Sequence, residues 1–282
     1  MAEVRVLVLR AAGTNCDVET AWAFERAGAA AERLHVNAVS QRPELLGNFS
    51  ILAIPGGFSY GDDISAGRIL AQHLETRLLE PVRRFIERGG LVIGICNGFQ
   101  VLVKTALLPG RVGVGGGSVG GAGGGGGAAG RAVTLAHNAA GPHNRGGGFL
   151  CRWVEVEEVA GSRCVWTQGV GRLALPIAHG EGRVAVTGEG VLRELEASGR
   201  VALRYAAGGL GAGLPEGNPN GSAAAAAGLC DETGRVLGLM PHPERHVRRG
   251  QHPAWTALGW DAMDEGAGLA VFRNGVRAAR GM

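Results

Sequence analysis

The chain has 282 residues, 45% of them hydrophobic, and its 28 basic and 25 acidic side chains leave a formal net charge of +3. That balance is too weak to hold nucleic acid electrostatically, and no run of about 18 apolar residues is present to span a membrane as a helix. The five cysteines (Cys16, Cys96, Cys151, Cys164 and Cys230) lack the close spacing of a zinc site, so no metal is expected, and they fit reduced thiols in a cytoplasmic protein.

The first residues carry charge too early for a signal peptide and read as a strand over 4–10. A helix is expected over 17–29 and a short strand over 33–36. The apolar run Ile51-Leu52-Ala53-Ile54 reads as a buried strand that stops at Pro55-Gly56-Gly57. Helices are expected over 67–79 and 81–88, the second opening on a proline in the tolerated first turn. Gly89-Gly90 ends it, a strand follows over 91–95, and the next helix is expected over 97–108. This alternation predicts an α/β fold in three layers, a mostly parallel sheet with helices on both faces. Ligands in such sheets gather at the carboxyl ends of the strands.

Twelve of the eighteen positions 113–130 are glycine. Such a stretch buries almost no side chain and carries a high ordering entropy, so it reads as a flexible surface insertion inside a single domain spanning 1–282. The second half is strand-rich, with strands expected over 149–159, 164–166, 173–178, 183–186, 201–205 and 235–240. A closing helix is expected over 266–280. The alanine run 223–227 gives no assignment.

Chemistry concentrates at Cys96. Gly94-Ile95-Cys96-Asn97-Gly98 directly follows an apolar strand and leads into a helix, the pattern of a nucleophile elbow. The small flanking residues permit the sharp turn, and the positive helix N-terminus favours thiolate. Pro241-His242-Pro243-Glu244 supplies a base and an orienting carboxylate two residues apart. An extended backbone between prolines places both side chains on one face, so Cys96, His242 and Glu244 form a candidate catalytic relay. Peptide N–H groups at Gly57 and Asn97 are candidate oxyanion donors. Two rivals accompany these residues: Cys16 as nucleophile, which lacks the following glycine of an elbow, and His179 as base, which also precedes a glutamate by two positions.

The elbow Gly94-Ile95-Cys96-Asn97-Gly98-Phe99-Gln100 together with His242-Pro243-Glu244 resembles the class I (triad) glutamine amidotransferases, which have a flavodoxin-like fold. Five segments look like one branch, the glutaminase subunits of phosphoribosylformylglycinamidine synthase in de novo purine synthesis. They are Gly56-Gly57-Phe58-Ser59-Tyr60-Gly61-Asp62-Asp63-Ile64-Ser65-Ala66-Gly67-Arg68, the elbow, Pro176-Ile177-Ala178-His179-Gly180-Glu181-Gly182, Asn218-Pro219-Asn220-Gly221-Ser222 and Met240-Pro241-His242-Pro243-Glu244-Arg245. The resemblance implies that Cys96 attacks the side-chain amide of L-glutamine, with Gln100 and His179 as substrate contacts. It further implies that ammonia passes to a separate synthetase subunit, which uses ATP and Mg²⁺, with a small bridging subunit between them. No cofactor is expected on this chain. The branch usually has Asn-x-Ser-Gly-basic-Phe before Cys-Arg-Trp, whereas Asn144-Arg145-Gly146-Gly147-Gly148-Phe149 stands here. That change is expected to affect partner docking more than thioester chemistry. The alternatives are a glutaminase for another acceptor, a non-catalytic binding subunit, and an elbow-type hydrolase of peptides.

Overall fold

A computed structural model describes residues 3–114, 117–119, 132–140, 146–206 and 217–281. Most of the expected glycine-rich insertion, and Asn144 and Arg145, lie outside the described residues.

Four of the expected early strands and helices appear in order: β1 (Arg5–Arg10), α1 (Asp17–Arg26), β2 (Ala30–His35) and, after the short helix α2 (Val36–Gln41), β3 (Ile51–Ile54). Next come α3 (Arg68–Arg77), α4 (Leu79–Glu87), β4 (Leu91–Ile95) and α5 (Asn97–Lys104). A hairpin of β5 (Val112–Val114) and β6 (Gly117–Val119) precedes β7 (Val133–His137), β8 (Leu150–Glu158), β9 (Arg172–His179) and β10 (Glu181–Val186). The chain closes with α6 (Glu189–Ala197), β11 (Val201–Tyr205), β12 (Ala226–Cys230), β13 (Val236–Leu239) and α7 (Leu269–Arg280).

Nine strands form one sheet in the order β2-β1-β3-β4-β13-β12-β11-β8-β9. The first five run parallel, and each later neighbour is antiparallel. The α/β reading with a strand-rich second half therefore holds. β3 and β4 are buried along their whole length, as parallel strands covered on both faces must be. The strand order reverses direction between β1 and β3. Right-handed crossovers then send the following helices to opposite faces, and a crevice opens at the carboxyl ends of that pair. Accordingly α1 packs with α7, while α3 packs with α4 and α5.

The differences from expectation are local. Helix α1 stops at Arg26 because Gly28 turns left-handed at φ 86°. Helix α5 ends at Lys104, four residues early, where Ala106 adopts φ 55° ahead of Pro109. Residues 164–166 form no strand. Trp166 is instead a fully buried anchor whose Nε1 donates to the Arg235 carbonyl at 2.8 Å and whose ring meets Phe24 edge-on at 6.4 Å. Gly275 in α7 makes room for it, since a Cβ there would lie 2.1 Å from Cζ3 of Trp166. The alanine run resolves into a tight turn and the start of β12.

Candidate active site

One edge of the sheet gathers the chemistry. Cys96 follows β4, Gly56 follows β3 and Cys16 lies beyond β1, while His242 lies just past β13. Antiparallel pairing brings the ends of β9 and β11, His179 and Tyr205, to the same edge.

Cys96 has φ 49° and ψ −104°, outside the ordinary regions for an L-residue. Strain of this kind persists only where the surroundings enforce it, and the two glycines do so. A Cβ on Gly98 would lie 1.9 Å from the Ile54 carbonyl oxygen, and one on Gly94 would lie 2.5 Å from Leu102 Cδ1. The elbow therefore sits too close to β3 and α5 for any side chain at either position. The Cys96 peptide N–H donates to Leu239 O at 2.8 Å, which ties the elbow to β13. Its Sγ faces the Ala178 carbonyl at 3.7 Å.

His242 Nδ1 and Glu244 Oε1 are 2.6 Å apart, and both residues are buried. An extended segment was expected between them. Instead Pro243 opens a single 3₁₀ turn over Pro243–Arg245, which folds the carboxylate back beneath the ring. The His242 peptide N–H donates to Pro176 O at 2.9 Å, fixing the turn against β9. Burial opposes a charged imidazole, but the Glu244 carboxylate and then Cys96 outweigh it and hold His242 well above the usual histidine range. Nε2 has no hydrogen-bond partner among the described residues. Gly56 lets the ring enter, because a Cβ there would lie 2.7 Å from His242 Cε1.

Gly57 has φ 130°, with Asn15 and Gly13 within 3.0 Å of where its Cβ would stand, so a side chain is excluded at this candidate oxyanion position too. Asn97 begins α5, and the N–H groups of a first helical turn have no intrahelical acceptor. Its side chain binds the 59–62 loop: Oδ1 accepts from Ser59 Oγ at 2.6 Å and Nδ2 donates to Asp62 Oδ1 at 3.0 Å. Gln100 accepts from Asn97 Nδ2 at 3.0 Å and donates through Nε2 to Glu181 O at 2.5 Å, so its amide joins the elbow to the turn after β9. Glu181 reaches Lys104 Nζ at 3.6 Å and accepts from Ala66 N at 3.2 Å.

His179 is buried with both ring nitrogens unpartnered among the described residues. Burial, reinforced by His242, pushes it down to about 3. It is therefore neutral at physiological pH, and His242 is the imidazole paired with a carboxylate. Cys16 is fully buried, and burial pushes its thiol up to about 11, which disfavours the thiolate that a nucleophile needs. Among the described residues, Cys16, His242 and Glu244 are the one set of three possible metal ligands, with donor atoms within 4.8 Å of one another. Nδ1 is already committed to Glu244, and Arg245 Nη2 lies 3.1 Å from the thiol, a cation where a metal would compete.

The Asn218-Pro219-Asn220-Gly221-Ser222 segment is scaffolding for the β9–β10 turn. Asn138 Nδ2 donates to His179 O at 2.8 Å and to Gly148 O at 2.9 Å, while Asn138 Oδ1 accepts from Gly182 N at 3.3 Å and Asn220 Nδ2 at 3.4 Å. Ser222 Oγ accepts from Val184 N at 3.1 Å. Sequence reading missed Ser59, Asp62, Asn138, Glu181 and Arg245. All but Asn138 lie within the quoted motifs, yet only the fold shows which partners they meet.

Residues 3–277 match the CobB/CobQ-like glutamine amidotransferase domain. A protein of Dehalococcoides mccartyi named phosphoribosylformylglycinamidine synthase subunit PurQ is 44% identical over 99% of both chains. This chain belongs to the PurQ family. A second PurQ, from Treponema denticola, is 41% identical over 86% of this chain and 88% of that one. Among solved structures, PurLQS from Thermotoga maritima covers 98% of this chain and 99% of its own at 26% identity and a TM-score of 0.66. A putative GMP synthase component from Thermoplasma acidophilum, 10% identical with a TM-score of 0.56 over 100% and 96% of the two chains, shares the fold. PurQ membership makes the chain a glutamine amidotransferase. No helix among the described residues is long and apolar enough to cross a membrane.

Proposed function

We propose that this chain is the glutaminase subunit of phosphoribosylformylglycinamidine synthase, with Cys96 as nucleophile, His242 as proton carrier and Glu244 as its orienting carboxylate. The observation that carries the assignment of roles is the buried 2.6 Å pair of His242 and Glu244, whose free Nε2 lies at the same sheet edge as the strained elbow.

The Cys96 thiolate, paired with protonated His242, attacks the side-chain amide carbon of glutamine. The C–S bond forms as the carbonyl electrons move to oxygen, and peptide N–H groups at Gly57 and Asn97 receive that oxyanion. Collapse breaks the C–N bond, and the nitrogen takes the His242 proton and leaves as ammonia. His242 then removes a proton from water, the hydroxide attacks the γ-glutamyl thioester, and the C–S bond breaks to give glutamate and the thiolate. His179, held neutral, offers no proton to the departing ammonia at neutral pH. Its place next to Ala178, whose carbonyl faces Cys96 Sγ at 3.7 Å, fits a contact to substrate or product, while Gln100 shapes the substrate side through Glu181.

The nine-stranded sheet, which takes strands from both halves of the chain, supports a single amidotransferase domain. The chain itself binds no cofactor in this reading; ATP and Mg²⁺ act on a separate synthetase subunit that receives the ammonia, with a small bridging subunit completing the complex. The assembly works in the cytoplasm, in keeping with five free cysteines. Glutamine hydrolysis by wild type and Cys96→Ala, with and without the synthetase partner, tests the proposal. Activity surviving in the alanine variant overturns the mechanism, and absence of both complex formation and stimulation overturns the purine assignment.

A further inference from the structure

Cys16 is a buried thiol beside the triad that takes no part in the glutaminase steps. It lies at the start of α1, and its peptide N–H donates to Gly56 O at 3.4 Å, just past β3. Its Sγ accepts from Arg245 Nη2 at 3.1 Å and lies 3.3 Å from Asn15 Oδ1, to which the thiol donates. Arg245 Nε in turn donates to Glu19 Oε1 at 2.8 Å. Thiol and imidazole flank the same bare backbone: a Cβ on Gly56 would lie 3.2 Å from Cys16 Sγ and 3.3 Å from His242 Nδ1.

Arg245 directly follows Glu244, whose Oε2 is buried without a partner among the described residues. A guanidinium is shaped to grip a carboxylate with two parallel hydrogen bonds. An Arg245 free to turn would take Glu244 in that way, drawing charge from the carboxylate that supports His242. Two of its donors are engaged elsewhere, Nε by Glu19 and Nη2 by Cys16, and these two contacts hold the guanidinium turned toward α1. We propose that Cys16 is a positioning residue of the triad: its thiol fills the corner between Arg245 and the His242–Glu244 pair and reserves Glu244 for the imidazole. A carboxylate at that corner would add a competing charge, and a larger side chain would meet Gly56 and the ring. The inference rests on the reading of His242 as proton carrier.

Glu244, Cys96, Cys16 and His179 face His242, with Arg245 behind the thiol. The test uses the full chain with its synthetase partner present. Cys16→Ala removes the acceptor of Nη2 and leaves Arg245 held by Glu19 alone, so that its Nη2 can turn toward Glu244. The expected result is a fall in glutaminase kcat of about tenfold or more with KM within about twofold, and a basic limb of the kcat/KM profile moved to lower pH. The downward direction follows because a carboxylate shared with Arg245 supports a protonated imidazole less. Cys16→Ser, which keeps an acceptor, should restore most of the rate. Cys16→Ala combined with Arg245→Met should recover activity relative to Cys16→Ala alone, since no guanidinium remains to take Glu244. Wild-type kcat and an unmoved basic limb in a folded Cys16→Ala protein overturn the proposal. A double variant no better than the single one also overturns it, leaving a packing role visible only in Tm. Failure of the underlying reading shows separately, as glutamine hydrolysis that survives Cys96→Ala.

Discussion

The carbonyl oxygen of Ile54 occupies the space that a Cβ on Gly98 would need, at 1.9 Å. This contact joins the end of β3 to the first turn of α5, so the backbone behind the nucleophile is set by a strand–helix approach as well as by local turn geometry. Gly98→Ala must move α5 away from β3. The expected cost is about 1–3 kcal/mol of stability, as for other overpacked sites, seen as a lower Tm. Glutaminase activity should fall further than the loss of folded protein explains, because the Cys96 torsions relax with the helix.

Replacement of Glu244 by glutamine keeps the shape of the turn and removes the charge that supports His242. A loss of about 10²–10⁴ in kcat is expected, with KM little changed. The folded-state pKa of His242 is raised, so its contribution to stability is fully present below the unfolded value of about 6.5 and is lost as pH rises through the folded value. The stability gap between wild type and Glu244→Gln should therefore be widest in mild acid and narrow toward alkaline pH, measured by urea unfolding across that range.

His179 behaves in the opposite sense. Its folded pKa is depressed to about 3, so the unfolded chain binds its proton first as pH falls. Stability contributed by the neutral ring is present above about 6.5 and declines below it, by up to about 1.4 kcal/mol per pH unit for this one group. His179→Gln should flatten the acid limb of the stability profile between pH 6.5 and 5. An unchanged limb would mean that the ring titrates normally.

Cys16 and Cys96 should separate cleanly under alkylation. With its thiol pushed up to about 11, Cys16 holds a thiolate fraction on the order of 10⁻⁴ to 10⁻³ near neutral pH, and it is closed to solvent. Peptide mapping after brief treatment with a reactive glutamine analogue should find Cys96 modified and Cys16 intact. Modification of Cys16 in the native protein would contradict its burial.

Much of the site was legible before folding because its chemistry is written in short-range patterns. The glycines at 94 and 98, the helix start at Asn97 and the prolines around His242 each restrict the backbone locally, and local restriction is readable from neighbours. The strand expected over 164–166 failed for the complementary reason. Its apolar residues Cys164, Val165 and Trp166 suit a ladder, yet Trp166 is worth more as a plug against Phe24 and Gly275, partners more than a hundred residues away. Helix ends at Arg26 and Lys104 were missed because left-handed turns at Gly28 and Ala106 depend on what the following strand must reach.

The sequence alone determined the α/β alternation, the elbow, the candidate relay of Cys96, His242 and Glu244, and the resemblance to triad amidotransferases, since each depends on residue type and spacing along the chain. Only the tertiary structure decided which histidine pairs with a carboxylate, which thiol is fully buried against Arg245 and how Gln100, Glu181 and Asn138 hold the site. It also replaced the expected extended His-Pro-Glu segment with a 3₁₀ turn. Those outcomes are set by burial and by distances between segments far apart in sequence: desolvation drives His179 and Cys16 to their neutral forms, and one carboxylate 2.6 Å from Nδ1 suffices to single out His242.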